Sequence, residues 1–514
     1  MSDSPRNAGS EGATTPPIPD RIFDVIVVGG GPAGATLAWA LARQGVDVAV
    51  IERARFPREK VCGDFIEPGG LRILKAMDAL ADLENGRALT ITASQVFIGF
   101  HRAYRGDIPY YQDHHGLPPH GAVLPRSLLD SRLLDRARAA GAHVAEGCSV
   151  EAARRDGGLM RVDVRTPTGD VTLRARLTAG ADGTESTVAR SQGLWRNDRR
   201  HIAISQRGYV DGVSAPAATG DGGEATLWFD EDVFPGYGWM FPMTGGRANV
   251  GVGLLSEACH RHDLSVPGAF RDFLEKLKLR HPGCAEATLS GRAIGGVVKT
   301  YGGAGPNHFD GGVLIGDAGC FADPMTGEGV TQGMESGLIA ALTLKEALED
   351  GRFDAAYLSR FESDFRSYFD PSMAWLDLCA ALMRNWHLRA FWLRAGVHGF
   401  ERAGVDRDFA RVAGSTFGGP AVQPLSILGQ MAASLARHLV EGGAGAIADL
   451  ISGRPGRSGA LAADWDAWAK GWRASMAQDP AWHFAWLADV ATRAAKLSPT
   501  LWTAENPRVQ GPPL

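Results

Sequence analysis

Residues 22–52 constrain the fold more than any other stretch. IFDVIVV (22–28) is an apolar, β-branched run that reads as a strand. GGGPAG follows and satisfies G-x-G-x-x-G with Gly29, Gly31 and Gly34. ATLAWALARQG then has helical spacing and stops at Gly45, and VDVAVIE is a second strand ending in Glu52. Together they predict a strand–turn–helix–strand unit that binds a dinucleotide. Gly29 permits the tight turn, Gly31 lets backbone approach a pyrophosphate, and Gly34 lets helix and strand pack closely. The helix N-terminus favours phosphate, and Glu52 is placed to accept hydrogen bonds from ribose hydroxyls. A looser glycine pattern, Gly443 to Ala448, has no preceding strand and no strand-terminal acid, and reads as a break among C-terminal helices.

Composition excludes several other classes. The 514 residues allow two or three domains. A formal net charge of −5, from 53 basic and 58 acidic side chains, gives no basic face for nucleic acid. Six scattered cysteines without a C-x-x-C pair argue against a zinc or disulfide framework, and no metal site is expected. Residues 1–20 are rich in Ser, Gly and Pro and read as a disordered N-terminus. No run reaches the ~20 apolar residues of a spanning helix. The expectation is a cytoplasmic protein, with peripheral membrane contact as the other option.

Two further motifs follow in order. LTAGADGTESTVAR (177–190) carries Asp182, and VLIGDAGCFADPMTGEG (313–329) carries Asp317, Pro324, Gly327 and Gly329 before a helix that opens at Val330. With these three motifs, roughly residues 22–345 resemble the FAD-dependent oxidoreductases built like the aromatic hydroxylases. The resemblance implies that Asp317 holds the ribityl hydroxyls and that Gly327, Gly329 and Val330 set backbone N–H groups by the flavin ring. It gives Asp182 to the family's middle motif. Arg126 matches the arginine opening a helix beside the cofactor, and Val150 a backbone contact to adenine. The competing reading of either aspartate is a cap or turn residue. Only one full dinucleotide fingerprint is present, so FAD is expected as resident cofactor, with NAD(P)H or another electron donor binding transiently.

Two more stretches narrow the resemblance. FPREKVCGDFIEPGGLRILKAM contains Cys62-Gly63, and FPGYGWMFP (234–242) contains Tyr237, Trp239 and Phe241. Both resemble the geranylgeranyl reductase branch, with some similarity of GDFIEPGGLRILKAMDAL and of residues 419–440 to squalene monooxygenase. The resemblance implies an aromatic strand roofing the flavin and lining a channel for an isoprenoid chain. Alternation puts Tyr237, Trp239 and Phe241 on one face, whether that face meets ligand or core. Cys62 is a candidate proton donor or gate, or simply a packed thiol; Tyr237 and Trp239 join it as catalytic candidates.

The expected fold is α/β, a Rossmann-type FAD-binding domain with an inserted antiparallel β-sheet substrate domain and a mostly helical C-terminal region. FAD-binding segments are expected at 21–90, 121–195 and 296–350, substrate-domain segments at 91–120 and 196–295, and helices over 351–514. Trp465, Trp468, Trp472, Trp482 and Trp486 recur at helical spacing after a linker at 454–459, and pack on the body or on a membrane surface. The functional expectation is an FAD-dependent reductase of C=C bonds in an apolar isoprenoid or polyene. The alternatives are an FAD monooxygenase or epoxidase and a non-catalytic FAD- or lipid-binding protein.

Overall fold

Two sheets divide the strands. The computed structural model describes residues 18–81, 85–99, 101–107, 117–214, 222–302, 305–405, 458–497, 508 and 511–513. Most of the expected N-terminal tail, the pattern at 443–448 and the stretch 419–440 lie outside the described residues. The elements run β1 (Ile22–Val28), α1 (Pro32–Ala42), β2 (Val48–Glu52), β3 (Phe65–Ile66), α2 (Pro68–Ala76), β4 (Leu89–Ile98), β5 (His101–Asp107), β6 (Gly121–Val123), α3 (Arg126–Ala139), β7 (His143–Glu146), β8 (Ser149–Asp156), β9 (Leu159–Thr166), β10 (Gly169–Gly180) and α4 (Thr187–Ser191). They continue with β11 (Ile202–Asp211), β12 (Gly223–Phe229), β13 (Gly236–Met243), β14 (Arg247–Leu255), α5 (Ser256–His262), α6 (Val266–Arg280), β15 (Thr288–Lys299), β16 (His308–Phe309), β17 (Gly312–Leu314), α7 (Val330–Asp350), α8 (Ala355–Met383), α9 (Arg389–Val405), α10 (Ser458–Gln478) and α11 (Pro480–Lys496).

The first sheet has the order β16-β17-β10-β1-β2-β7, parallel from β17 to β7, with the ribbon β8–β9 paired to the start of β10. Its strands are buried on both faces, as parallel strands require. Val25, Val27, Val48 and Val50 pack under α1, α3, α7 and α8. Ile26, Val28, Ala49 and Ile51 pack against Met160, Val162 and Val164 of the ribbon. Pro32 opens α1, where its fixed φ suits the first turn.

The second sheet has the order β15-β11-β14-β13-β12-β4-β6-β3, with β5 on β4. It is antiparallel except for β4 with β12, which come from separate excursions of the chain. Its back face, with Trp228, Met240, Val250 and Val252, is covered by Phe270, Phe273 and Leu277 of α6. The sheet also takes in β3 and β6, from stretches expected on the FAD side. Alternation explains this: Phe65 and Val123 join the cluster under the second sheet, whereas Ile66 and Ala122 join the core under α1.

All described elements after Gly351 are helical. The last long helix, α11, is locked to α8. Trp486 Nε1 donates to Ala381 O at 2.8 Å, and Arg493 pairs with Asp377 and with Asp489. Burial pushes the Asp377 carboxyl up to about 6, with Arg493 opposing. Trp472 packs edge-on to His483, and Trp482 Nε1 donates to Glu257. Trp472, Trp482 and Trp486 therefore meet protein. Among the described residues no helix is long and apolar enough to cross a membrane. Arg493→Ala leaves Asp377 buried without its cation and is expected to cost about 3–5 kcal/mol. Thermal melting and limited proteolysis check it; an unchanged melt with α11 protected would contradict this account of the docking.

Candidate active site

Where the two sheets meet, they enclose a cavity of about 840 Å³. One end is built by the β1–α1 turn. Gly29 has φ +103°, and a Cβ there would lie 2.4 Å from Ala181 O. A Cβ on Gly34 would lie 2.0 Å from Gly29 O, so only glycine permits this helix–strand approach. Gly34 is thus a packing residue and does not line the cavity, whereas Gly29 and Gly31 do. The Glu52 carboxylate closes β2, accepting from Gly30 N–H and Ala54 N–H, each at 2.7 Å. Val150 and Asp317 also line the cavity, and no described group hydrogen-bonds the Asp317 carboxylate. An open glycine turn, a strand-end acid fixed by backbone and an uncommitted aspartate fit FAD.

Three expected ligands have internal partners. Asp182 lines the cavity, but its carboxylate caps α4, accepting from Ser186 Oγ, from Thr187 N–H at 2.6 Å and from Val188 N–H at 3.2 Å. Burial raises its pKa against these bonds. Gly327 N–H donates to Asp323 O, and Val330 N–H donates to Glu328 Oε1 at 2.9 Å. The start of α7 is therefore capped by Glu328, because a glutamate beside exposed helix N–H groups folds back onto them. Pro324 and Gly329 line the cavity with them.

The reactive-looking end surrounds Cys62. Its thiol faces the cavity yet is shielded by protein, and burial pushes its pKa up, opposed by the nearby Arg126. Arg126 opens α3 and is held by Asp130 at 2.7 and 2.8 Å. Burial alone would lower the Arg126 pKa; Asp130 outweighs it and keeps the guanidinium charged. Asp64, fully buried, organises this corner. Its carboxylate accepts from Tyr209 OH at 2.7 Å, Asn249 Nδ2 at 2.8 Å and Arg126 N–H at 3.3 Å, and its own N–H donates to Cys62 Sγ at 3.3 Å. Asn249 also donates to Cys62 O and accepts from Trp239 Nε1 at 3.0 Å.

The question raised by FPGYGWMFP has a two-part answer. Met240 faces the α6 core, while Tyr237, Trp239 and Phe241 line the cavity. Trp239 lies flat across β14 because its cross-strand neighbour is Gly251, where a Cβ would sit 2.1 Å from the indole. Tyr237 OH donates to Thr326 O and so ties this strand to the loop before α7.

Sequence reasoning missed several residues. Arg58, paired with Asp130 at 3.0 Å, points its guanidinium to the open side of Gly31. Asp64 follows Cys62-Gly63 directly and could have been noticed. Glu67 and Glu328 both line the cavity and are mutually repulsive. Burial pushes Glu67 up to about 7, with Arg508 opposing and Asp323 and Glu335 reinforcing.

Glu52→Ala is expected to weaken FAD binding by about 1.5–3 kcal/mol, the scale of a charge-assisted hydrogen bond. FAD titration of the apoprotein checks it, and unchanged affinity would remove Glu52 from the site. Glu67 has its folded pKa raised, so its contribution to stability is present below the ordinary glutamate range and is lost as pH rises through about 7. Glu67→Gln should remove that part of the pH dependence of melting between acid and neutral pH. A wild-type-minus-variant difference that is flat with pH would contradict the assignment.

Residues 23–366 match the family model of an FAD binding domain. The chain is 32% identical to a menaquinone reductase of Mycolicibacterium smegmatis over 62% of this chain and 75% of that one. It is 31% identical to digeranylgeranylglycerophospholipid reductase 2 of Methanopyrus kandleri over 68% of this chain and 83% of that one. A crystal structure of a geranylgeranyl bacteriochlorophyll reductase-like protein from Thermoplasma acidophilum superposes with a TM-score of 0.64 at 23% identity, covering 80% of this chain and 96% of that one. The cavity, its glycine cradle and these likenesses together identify an FAD-dependent oxidoreductase: the chain belongs to the FAD binding domain family, in the branch of the geranylgeranyl reductases.

Proposed function

We propose that the enzyme reduces C=C bonds of a long isoprenoid or polyene substrate, with FAD resident and NAD(P)H or another electron donor visiting. The observation that carries this reading is that one cavity joins the FAD cradle, the Cys62–Arg126 pair and a wall of aromatic faces. Relatives named for reduction of digeranylgeranylglycerophospholipid and of menaquinone support it. We assign Gly29, Gly31, Glu52, Arg126, Val150, Asp317, Pro324 and Gly329 to the FAD side, with Arg58 beside the pyrophosphate turn. Tyr237, Trp239 and Phe241 are assigned to the substrate side.

FAD held in this cradle and reduced by the external donor would supply a hydride to one alkene carbon, and the other carbon needs a proton. Cys62 fits the donor's role. Burial keeps its thiol protonated at neutral pH, and the Arg126 charge stabilises the thiolate left after transfer. Asp64 holds the Cys62 turn through its backbone, and Asn249 fixes the turn against Trp239. The flat rings exclude water and give an apolar chain large contact area at little rotamer cost.

The test is anaerobic. The flavin is reduced, oxygen excluded and an isoprenoid alkene added; reoxidation with a saturated product is the expected result. Product that forms only on admitting oxygen, and carries an oxygen atom, would replace this reading with a monooxygenase. In the same assay Cys62→Ala is expected to slow reoxidation by roughly 10²–10⁴-fold with FAD still bound. A rate equal to wild type would exclude Cys62 as the donor.

A further inference from the structure

The aromatic faces do not end at β13. From Phe241 the rings continue through Trp239, Tyr237, Phe229 and Phe400 to Tyr104, with successive centroids 6.4, 6.0, 5.9, 6.5 and 6.0 Å apart. All six line the cavity. The series begins at the Cys62 turn, where a Cβ on Gly63 would lie 2.8 Å from the Phe241 ring. Its fifth ring, Phe400, stands on a helix that belongs to neither sheet.

That helix is α9, and its sequence explains why it sits there. Leu393, Val397 and Phe400 fall four and three residues apart and share one face. This face packs on Val96 and Ile98 of β4, Ala103 of β5 and Phe229 of β12. Gly396 lets the helix approach, since a Cβ there would already be 3.0 Å from Ile98. Phe400 stacks on Phe229 at 29° and leans on Tyr104 at 33°. Ala380 and Met383, at the end of α8, also line the cavity. The family match stops at residue 366, so α9 and the end of α8 lie beyond it.

We propose that Phe400, backed by Tyr104, is the far wall of the substrate channel and sets the longest linear isoprenoid chain that the enzyme accommodates. The assignment rests on the reading of the cavity as a site for an isoprenoid substrate. A linear chain is the shape that follows from a single file of ring faces: each ring contacts one short segment, and a chain anchored near Cys62 meets Phe400 only when it is long enough. Removing the ring opens space along the same file. Enlarging it shortens the file.

The experiment measures binding and needs no turnover. FAD-loaded enzyme, kept oxidised, is titrated with saturated isoprenoid alcohols of increasing length, followed by tryptophan fluorescence and by the flavin spectrum. Wild-type affinity should rise with each added unit and then level off. In Phe400→Ala the levelling point should move to longer chains, with a gain of at least about tenfold for the first chain beyond the wild-type limit, since each added isoprenoid unit buries several further apolar carbons. In Phe400→Trp it should move to shorter chains, with short-chain affinity and FAD content unchanged. A folding defect would weaken every length in both variants and would not move the levelling point in opposite directions. Unmoved levelling points in both variants, or a uniform loss at all lengths, would overturn the proposal. Levelling points that move as expected in an enzyme that reduces no alkene would leave Phe400 as the wall and defeat only the reductase reading.

Discussion

The buried carboxylate of Asp64 is the contact on which the rest of the site depends. Its backbone has φ 64°, a conformation that a short polar residue tolerates better than most. From that position one side chain receives a phenol from β11, an amide from β14 and the first N–H of α3. Burial pushes its pKa up and the bonds from Tyr209 and Asn249 oppose the shift. The bonds are therefore what makes a buried acid tolerable here, and breaking one leaves its partner unsatisfied. Through them the Cys62 turn, the Arg126 cation and the Trp239 ring share one frame.

The two halves of the cavity are made by different means. The FAD side is a backbone construction: glycines, strand ends and helix starts whose positions follow from packing at Gly29 and Gly34. The other side is made of rings on alternate residues of β13 and of the ring of Phe229 on β12, continued by α9. Hydrogen bonds hold the halves in register, among them Tyr237 OH to Thr326 O and Asn249 Nδ2 to Cys62 O. Because both of these bonds start at an aromatic or amide side chain of the second sheet, the aromatic wall, the Cys62 turn and the loop before α7 are placed by the same groups. Near the loop, Asp323, Glu328 and Glu67 all have raised pKa values through burial. Among the described residues, the charge of Arg508 opposes the shift at all three.

The parts legible in the sequence are those whose partners are close along the chain. The unit over residues 22–52 could be read because turn, helix and strand lie side by side, and the aromatic face of β13 because a strand alternates strictly. The tryptophan spacing of α10 and α11 told which rings share a face, but not what that face meets. Contacts between distant residues were invisible. Arg126 lies 64 positions after Cys62, and Asn249 reaches back 187 residues to the Cys62 carbonyl. The capping of α7 by Glu328 also went unread, because GEGV looks like an open glycine loop until the carboxylate is seen folded onto Val330 and Thr331. Asp182 shows the same double aspect, lining the cavity while its carboxylate accepts capping bonds.

The most direct test of this account is a crystal structure of the enzyme with FAD and a saturated long-chain isoprenoid. The account expects the dinucleotide in the cradle of Gly29, Gly31 and Glu52, and the chain against the faces of Trp239 and Tyr237 with one end beside Cys62. A chain bound outside the cavity, or FAD filling the space along Tyr237 and Phe229, would contradict it.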